Sequence, residues 1–376
     1  MSSAVNVGII GCGNISATYM RMGRFFRDYK VVACADINPE VAKSRAEEFG
    51  LRALTIDALL ADPSIEIVVN LTIPAAHFEV SSDILRAGKH VYSEKPFVLT
   101  ADEGAQLATL AADKNLRIGS APDTFMGGSH QKAREMIDNG DIGQITSGTI
   151  HVMSGGMEHW HPNPDFFFLP GAGPIFDLAP YYVTNLVQLL GPVASVVAMS
   201  STPRKQRTIA CGPRDGEQVP VETPTTVHSI LKFANGAIIS YGTSWDVQSH
   251  EHNNMELYGL DGTLYVPDPN FFGGQLRLVK GDGSEVLISS GHPFSKPNDG
   301  ENANYRGAGL ADMAAAIRDG HQHRCNNDLA LHVVEVMGAI LQSGDTGNAV
   351  TIQSTCDRPA PFEADHAFAI MELEEN

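Results

Sequence analysis

Lys95, held between Glu94 and Pro96, and the pair Asp177 and Tyr181, four residues apart, are the groups in this chain best suited to moving a proton. A lysine ammonium and a tyrosine hydroxyl each carry a labile proton, and an aspartate can hold a neighbouring hydroxyl or orient a cation. Lys89-His90-Val91-Tyr92-Ser93 reads as a short strand that ends just before the lysine, and Pro96 stops a helix from absorbing it. Ligands of open α/β sheets collect outside the carboxyl ends of the strands, so Lys95 is expected to reach substrate and cofactor together. Pro170-Gly171-Ala172-Gly173-Pro174 precedes a run from Ile175 to Leu186. If that run is helical, Asp177 and Tyr181 share a face. Pro180 is tolerable within a first turn and would kink the helix later, which predicts a helix start nearer Leu178 than Phe176, and even with a kink both side chains point to one side.

A second group of residues points to a dinucleotide. Gly11-Cys12-Gly13-Asn14-Ile15-Ser16 follows the β-rich run Val5 to Ile10 and opens a helical stretch, the context that a phosphate-binding fingerprint requires. Gly11 permits the tight turn and Gly13 lets the backbone approach the pyrophosphate. Asn14 and Ile15 begin a helix whose N–H groups and dipole favour an anion. Ser16 replaces the third glycine and is small enough for helix–sheet packing. Asp36 ends the next strand about twenty residues on, where a carboxylate accepts hydrogen bonds from the ribose 2′-OH. It would repel a 2′-phosphate, and Ile37 and Asn38 offer no arginine to neutralise one, so NAD is expected over NADP. Asp36 could equally cap the following turn, and the two roles can coexist. Thr72 and Pro74, with His77 just beyond, end the third long strand and are expected under the nicotinamide; packing at the start of its helix is the alternative for His77.

The elements that would position these groups fall into two patterns. Strands at 5–10, 31–35, 65–70, 89–93 and 116–119 alternate with helices near 14–27, 39–49, 77–87 and 101–114, which predicts βαβ units and a doubly wound parallel sheet over residues 1–122. Asn38-Pro39 is an N-cap followed by a first-turn proline. From 123 to 376 the pattern is α+β. A helix near 129–139 leads to strand-length segments at 145–152, 193–201, 225–234, 237–244, 253–260 and 275–289 without helices between most of them, which predicts a large, mostly antiparallel sheet. Asn235-Gly236 and Asp261-Gly262 read as hairpin turns. Helices near 308–319 and 328–342 follow, and 203–222 and 290–306 are expected as long surface loops.

With 376 residues the chain is long enough for two cores and a cleft. No apolar run approaches the roughly 20 residues of a membrane helix. Five cysteines at 12, 34, 211, 325 and 356 lack CxxC spacing, and no basic region precedes the first strand, so a reducing cytoplasm without a secretory or transit signal is expected. A net charge of -18 disfavours nucleic acid and anionic membranes and suits a neutral polyol.

The glycine loop at 11–13, Glu94-Lys95-Pro96, the glycine-rich turn at 171–173 with Asp177 beyond it, and a final Leu329-Ala330-Leu331-His332 helix resemble the glucose-fructose oxidoreductase / inositol dehydrogenase (Gfo/Idh/MocA) family over nearly the whole chain. The resemblance implies an N-terminal Rossmann domain, a C-terminal domain on a large sheet, NAD(P)-dependent oxidation of a sugar or polyol, and a homodimer or homotetramer formed through that sheet. It places Glu94 and Lys95 with the cofactor contacts and implies that Lys95, Asp177 and Tyr181 form the catalytic group. Tyr181 stands where many relatives carry histidine, while some members, including the glucose-fructose oxidoreductase type, carry tyrosine there. Ala172, Ala179 and Thr184 replace two glycines and an aspartate often found in the family.

A tyrosine hydroxyl titrates near 10 in water, too high for a base at neutral pH. An ammonium about 4 Å away offers up to ~4 kcal/mol to the phenolate at an effective dielectric of 20. Lys95 then tunes while Tyr181 transfers the proton; in the competing assignment Lys95 relays it and Tyr181 only holds the sugar. Asp177 holds a hydroxyl, orients Lys95, or caps its helix. His159-Trp160-His161 reads as a substrate loop, Trp160 stacking on a sugar and His159 bonding hydroxyls, or as plain loop packing. His-x-His at 250–252 and 321–323 lacks convincing acidic or cysteine partners, and hydride transfer needs no metal, so none is expected. Two other functions remain open: an enzyme that retains NAD and acts by transient oxidation, and a noncatalytic dinucleotide sensor.

Overall fold

The computed structural model describes residues 4–371; Met1-Ser2-Ser3, part of the signal-sequence expectation, lies outside them. Two compact units account for the chain, Met1–Gly128 with Gly291–Val334 and Pro359–Asn376, and Ser129–Ser290 with Glu335–Arg358.

The first unit is built on β1 (Val5–Ile10), β2 (Tyr29–Ala35), β3 (Arg52–Ala53), β4 (Ile67–Asn70), β5 (His90–Ser93) and β6 (Ile118–Ser120), all parallel, in the order β3-β2-β1-β4-β5-β6. That is the doubly wound order, whose switch point lies between β1 and β4. Every residue of β4 is buried, as expected of a strand covered on both faces. The crossovers contain α1 (Asn14–Met22), α2 (Pro39–Phe49), α3 (Ile56–Ala61), α4 (His77–Arg86) and α5 (Ala101–Asp113). Asn38 caps α2 by accepting from the Glu40 N–H, and Thr100 with Glu103 forms a capping box on α5. The short β3 and α3 were not foreseen: two exposed strand residues and six helical ones carry no readable period.

The second unit opens with α6 (Gly128–Asp138) and β7 (Ile145–Met153), followed by α7 (Gly173–Leu190). Its nine-stranded sheet runs β16-β15-β14-β13-β7-β12-β11-β8-β17. The remaining members are β8 (Val193–Ser201), β11 (Thr226–Phe233), β12 (Ile238–Ser244), β13 (Met255–Gly259), β14 (Gly262–Val266), β15 (Leu276–Lys280), β16 (Glu285–Ile288) and β17 (Val350–Thr351), while β9 (Gln206–Thr208) and β10 (Gln218–Pro220) pair separately. The sheet is antiparallel except where β12 lies parallel to β7.

Two expectations need correction. Helix α7 starts at Gly173, not near Leu178, and carries Pro180 in its interior. Pro174 fills the first turn, and Pro180 removes one helical hydrogen bond, a loss outweighed by burial of sixteen of the eighteen residues. The segment 203–222 is not simply a surface loop. Ile209, Val219 and Val221 join Met157, Phe168 and Trp245 in a core cluster of their own.

The chain is completed by α8 (Ala308–Asp319), α9 (Asn327–Thr346) and α10 (Ala364–Ile370). The sequence division at 122 assigns everything beyond it to the second domain, whereas packing groups 291–334 with the first unit. The Asp123 carboxylate accepts from the Gly307 and Gly309 N–H groups at 2.8 and 3.0 Å, and Ser120 N–H donates to the Cys325 carbonyl at 3.0 Å.

Candidate active site

The first unit's site is a backbone construction. Gly11 has φ +99°, and a Cβ there would lie 2.6 Å from the carbonyl carbon and oxygen of Leu71, so only glycine fits. Around Gly13 a Cβ would meet nothing within 4 Å, which leaves the approach to α1 clear. No side chain caps α1 and no acidic residue stands in its first turn, so its amino end keeps its affinity for an anion. Ser16, in the third glycine's place, is buried and donates from Oγ to the Gly13 carbonyl at 2.6 Å.

Asp36 does two jobs. Its Oδ2 accepts from Cys12 N–H at 2.8 Å and its Oδ1 from Asn38 N–H at 2.9 Å, so it braces the glycine turn and caps its own loop. Each oxygen retains a lone pair for a ribose hydroxyl. Beside it lies a cavity of about 400 Å³ lined by Asp36, Ile37, Ala53, Leu54 and Thr55 among others, and Ile37 is 92% exposed. Arg45, missed in the sequence, reaches from α2 to the Gly13 carbonyl at 3.4 Å while paired with Glu48. Only a count of helical turns from Asp36 could have suggested it. These features fit the phosphates and adenosine of a dinucleotide.

At the switch point the expected contacts divide. Thr72 is fastened by its N–H and Oγ to Asn70 Oδ1 at 3.2 and 2.7 Å, and Pro74 opens a 3-10 turn. His77 is buried, with Nδ1 2.6 Å from the Pro96 carbonyl and Nε2 3.0 Å from the Thr72 carbonyl. Burial holds its pKa below the ordinary imidazole value, partly offset by those two carbonyls. In the neutral ring one of the two nitrogens donates to its carbonyl, and His77 packs between the loop after β4 and the loop after β5. Glu94 behaves similarly. Its Oε1 accepts from Tyr19 O–H at 3.0 Å and its Oε2 from Lys95 N–H at 2.8 Å, so it fixes the backbone at the half-buried Lys95.

The second unit's site is made of side chains. Asp177 and Tyr181 lie one turn apart on α7, Asp177 half-buried and Tyr181 8% exposed. Next to them Tyr182 donates to Asp268 Oδ1 at 2.9 Å and accepts from Asn254 at 3.1 Å. Deeper on the helix, Asn185 meets His130 Nδ1 at 3.3 Å and Gln188 donates to Asn185 at 3.0 Å. Burial pushes the His130 pKa down to about 4, so this brace is neutral.

The loop after β7 carries His159 and Trp160, 61% exposed at the tryptophan. Trp160 and His161 meet edge-on at 5.3 Å, and His161 meets Phe166 and Phe167 at 5.4 Å each. The loop rests on Arg207, a buried residue missed in the sequence. Its guanidinium donates to Glu158 Oε1 at 2.9 Å, to the Trp245 carbonyl at 3.1 Å and to Asp246 Oδ1 at 2.7 Å. Alternation of Arg207 with apolar Ile209 was the available signal. Of the other histidine motifs, His252 stacks on His151 with centroids 3.8 Å apart. Among the described residues, no group of three or more His, Cys, Asp or Glu side chains is arranged to hold a metal.

Residues 5–121 match the model of the oxidoreductase family with an NAD-binding Rossmann fold, and residues 130–265 match that of the GFO/IDH/MocA C-terminal domain. The chain belongs to the Gfo/Idh/MocA family. It is an NAD(P)-dependent oxidoreductase whose first unit contains an NAD-binding Rossmann fold. Among family members, levoglucosan dehydrogenase of Pseudarthrobacter phenanthrenivorans is 28% identical over 69% of this chain and 73% of its own length. The dTDP-3,4-didehydro-2,6-dideoxy-alpha-D-glucose 3-reductase of Saccharopolyspora spinosa is 33% identical over 71% and 75%. A solved levoglucosan dehydrogenase in complex with NADH and levoglucosan superposes with TM-score 0.78 at 25% identity, covering 94% of this chain and all of that one. Among the described residues no helix is long and apolar enough to cross a membrane.

Proposed function

We propose that this Gfo/Idh/MocA enzyme oxidises a secondary or anomeric hydroxyl of a cyclic sugar, glycoside or polyol. The observation that carries the reading is the placement of Asp177 and Tyr181 on successive turns of α7, in the unit that also presents the exposed Trp160. A tryptophan face suits the apolar face of a sugar ring, and the levoglucosan dehydrogenases among the relatives give the substrate class independent support. Bound NAD supplies the hydride acceptor.

The chain's own residues handle the rest. Tyr181 accepts the proton of the reacting hydroxyl, and the Lys95 ammonium favours the phenolate. Asp177 holds an adjacent hydroxyl, and His159 bonds the ring's outer hydroxyls. Asp36 binds the adenosine ribose through its 2′-OH and favours NAD over NADP. His77 and Glu94 position Thr72 and Lys95 without touching the cofactor.

The test is NADH formation across aldoses, glycosides, anhydrosugars and inositols. Stoichiometric reduction of free NAD by one of these cyclic compounds supports the proposal. Substrate loss without NADH accumulation would replace it with the retained-cofactor reading, and no reaction with any of them would remove it.

A further inference from the structure

Trp160 is not the only apolar side chain left open in its segment. Trp160, Phe166 and Leu169 are 61%, 43% and 44% exposed, closer together than scattered surface hydrophobics need to be. The segment is nevertheless firmly seated. Phe167 and Phe168 meet the fully buried Trp245 edge-on, with centroids 6.1 and 5.7 Å apart, and Phe166 lies against Phe167 at 4.1 Å. Arg207 braces the floor beneath them through Glu158 and Asp246, its guanidinium 5.6 Å from the Phe168 ring centroid. The exposed Phe166 ring is therefore presented on a fixed base, and covering it with an apolar surface is favourable.

Polar groups flank these rings. The Asn163 N–H donates to His161 Nδ1 at 3.1 Å, so in the neutral ring the proton sits on Nε2, which becomes a donor for a ligand. His161 meets Trp160 edge-on at 5.3 Å and Phe166 edge-on at 5.4 Å, which sets that donor beside both apolar faces. At the rim Arg214 donates to Asp165 Oδ2 and Oδ1 at 2.5 and 3.1 Å and to Glu217 Oε2 at 2.8 Å. Arg214 is thus neutralised by two carboxylates, whose remaining lone pairs can accept from hydroxyls. Apolar faces beside hydroxyl-binding groups, with the rim guanidinium already paired, match an uncharged sugar better than a phosphorylated one. The 3-10 turn Asp165–Phe168 packs on α7, and the chain passes from Leu169 through Pro170-Gly171-Ala172 directly into that helix, with Asp177 in its second turn.

We propose that Phe166 and His161 form a subsite for a second sugar ring, so that the substrate is a neutral disaccharide. Its reacting ring lies on Trp160, and the neighbouring ring lies on Phe166 with a hydroxyl accepting from His161 Nε2–H. A monosaccharide on Trp160 leaves both groups unused. The inference rests on the proposed sugar oxidation and narrows its substrate class.

The test sets cellobiose, maltose, lactose and trehalose against the methyl glycosides of their non-reducing rings. Turnover is measured with NAD, and binding by calorimetry on NADH-saturated protein, where no oxidation occurs. At least one disaccharide should exceed its methyl glycoside at least about tenfold in kcat/KM, carried by KM, and at least about tenfold in affinity. Phe166→Ala should bring both ratios to about one, and His161→Phe, which keeps the ring and removes the donor, should lower them as well. Ratios near one in the unaltered enzyme, or unchanged ratios in Phe166→Ala, would overturn the subsite and leave the oxidation standing. No turnover of any of these sugars would remove the oxidation, and the calorimetric ratio then decides the subsite alone. A lower molecular mass of Phe166→Ala in light scattering would show that a second copy of the chain covers these rings, which also overturns the proposal.

Discussion

The two halves of the chemistry are built from different materials. In the first unit the dinucleotide site is mostly backbone: a glycine at φ +99°, an uncapped helix end, and a carboxylate whose two oxygens hold main-chain N–H groups. In the second, the helix of Asp177 and Tyr181 and the loop of Trp160 are held by side chains buried far along the sequence, Arg207 and His130 above all. Backbone sites tolerate few residue types and so leave fixed motifs. Side-chain sites can be assembled from many sequences, which gives a family freedom to change substrate while keeping its cofactor.

The contrast can be broken experimentally. The largest effect is expected at Gly11→Ala, where a positive φ and a backbone clash combine. NADH affinity should fall at least about a hundredfold, or the first unit should fail to fold, with circular dichroism separating the two. Retained affinity would contradict the backbone account. Next comes Arg207→Met, which leaves the buried Glu158 and the half-buried Asp246 beside an apolar chain. A loss of about 3–5 kcal/mol in unfolding stability is expected, with KM for the sugar raised and NAD affinity unchanged in the folded fraction. An equal loss of NAD affinity would show that the two sites are not separately built. Smallest is Asp36→Ala, expected to weaken NAD about tenfold and to narrow its advantage over NADP. Equal use of both cofactors by the unaltered enzyme would refute the role given to Asp36.

The same contrast explains what could be read from the chain. The parallel strands were legible because each is a short apolar run beside a glycine or a cap; Gly11 was legible because the turn admits little else, and Gly13 and Asp36 by their spacing from it. The positions of His77 and Glu94 beyond β4 and β5 were legible but their hydrogen bonds were not, since the carbonyls of Thr72 and Pro96 and the hydroxyl of Tyr19 come from other loops and from α1. Arg207 escaped because a charged residue in a polar, proline-containing segment reads as solvated until its carboxylate partners, 49 and 39 residues away, are brought to it. The start of α7 was misplaced because Pro180 weighs on local helix propensity, whereas burial of the surrounding residues decides the outcome. The membership of 291–334 in the first unit rests on contacts such as Asp123 with Gly307, which no local pattern announces.

The central proposal is that Tyr181 takes the proton while Lys95 tunes it. Its most direct test is the pH profile of kcat for Tyr181→Phe beside the unaltered enzyme, with NADH affinity measured on both. The account predicts a fall in kcat of about 10²–10⁴-fold, loss of the pH-dependent limb, and unchanged NADH affinity. Near-normal kcat with the same pH profile would contradict it and return the proton to Lys95.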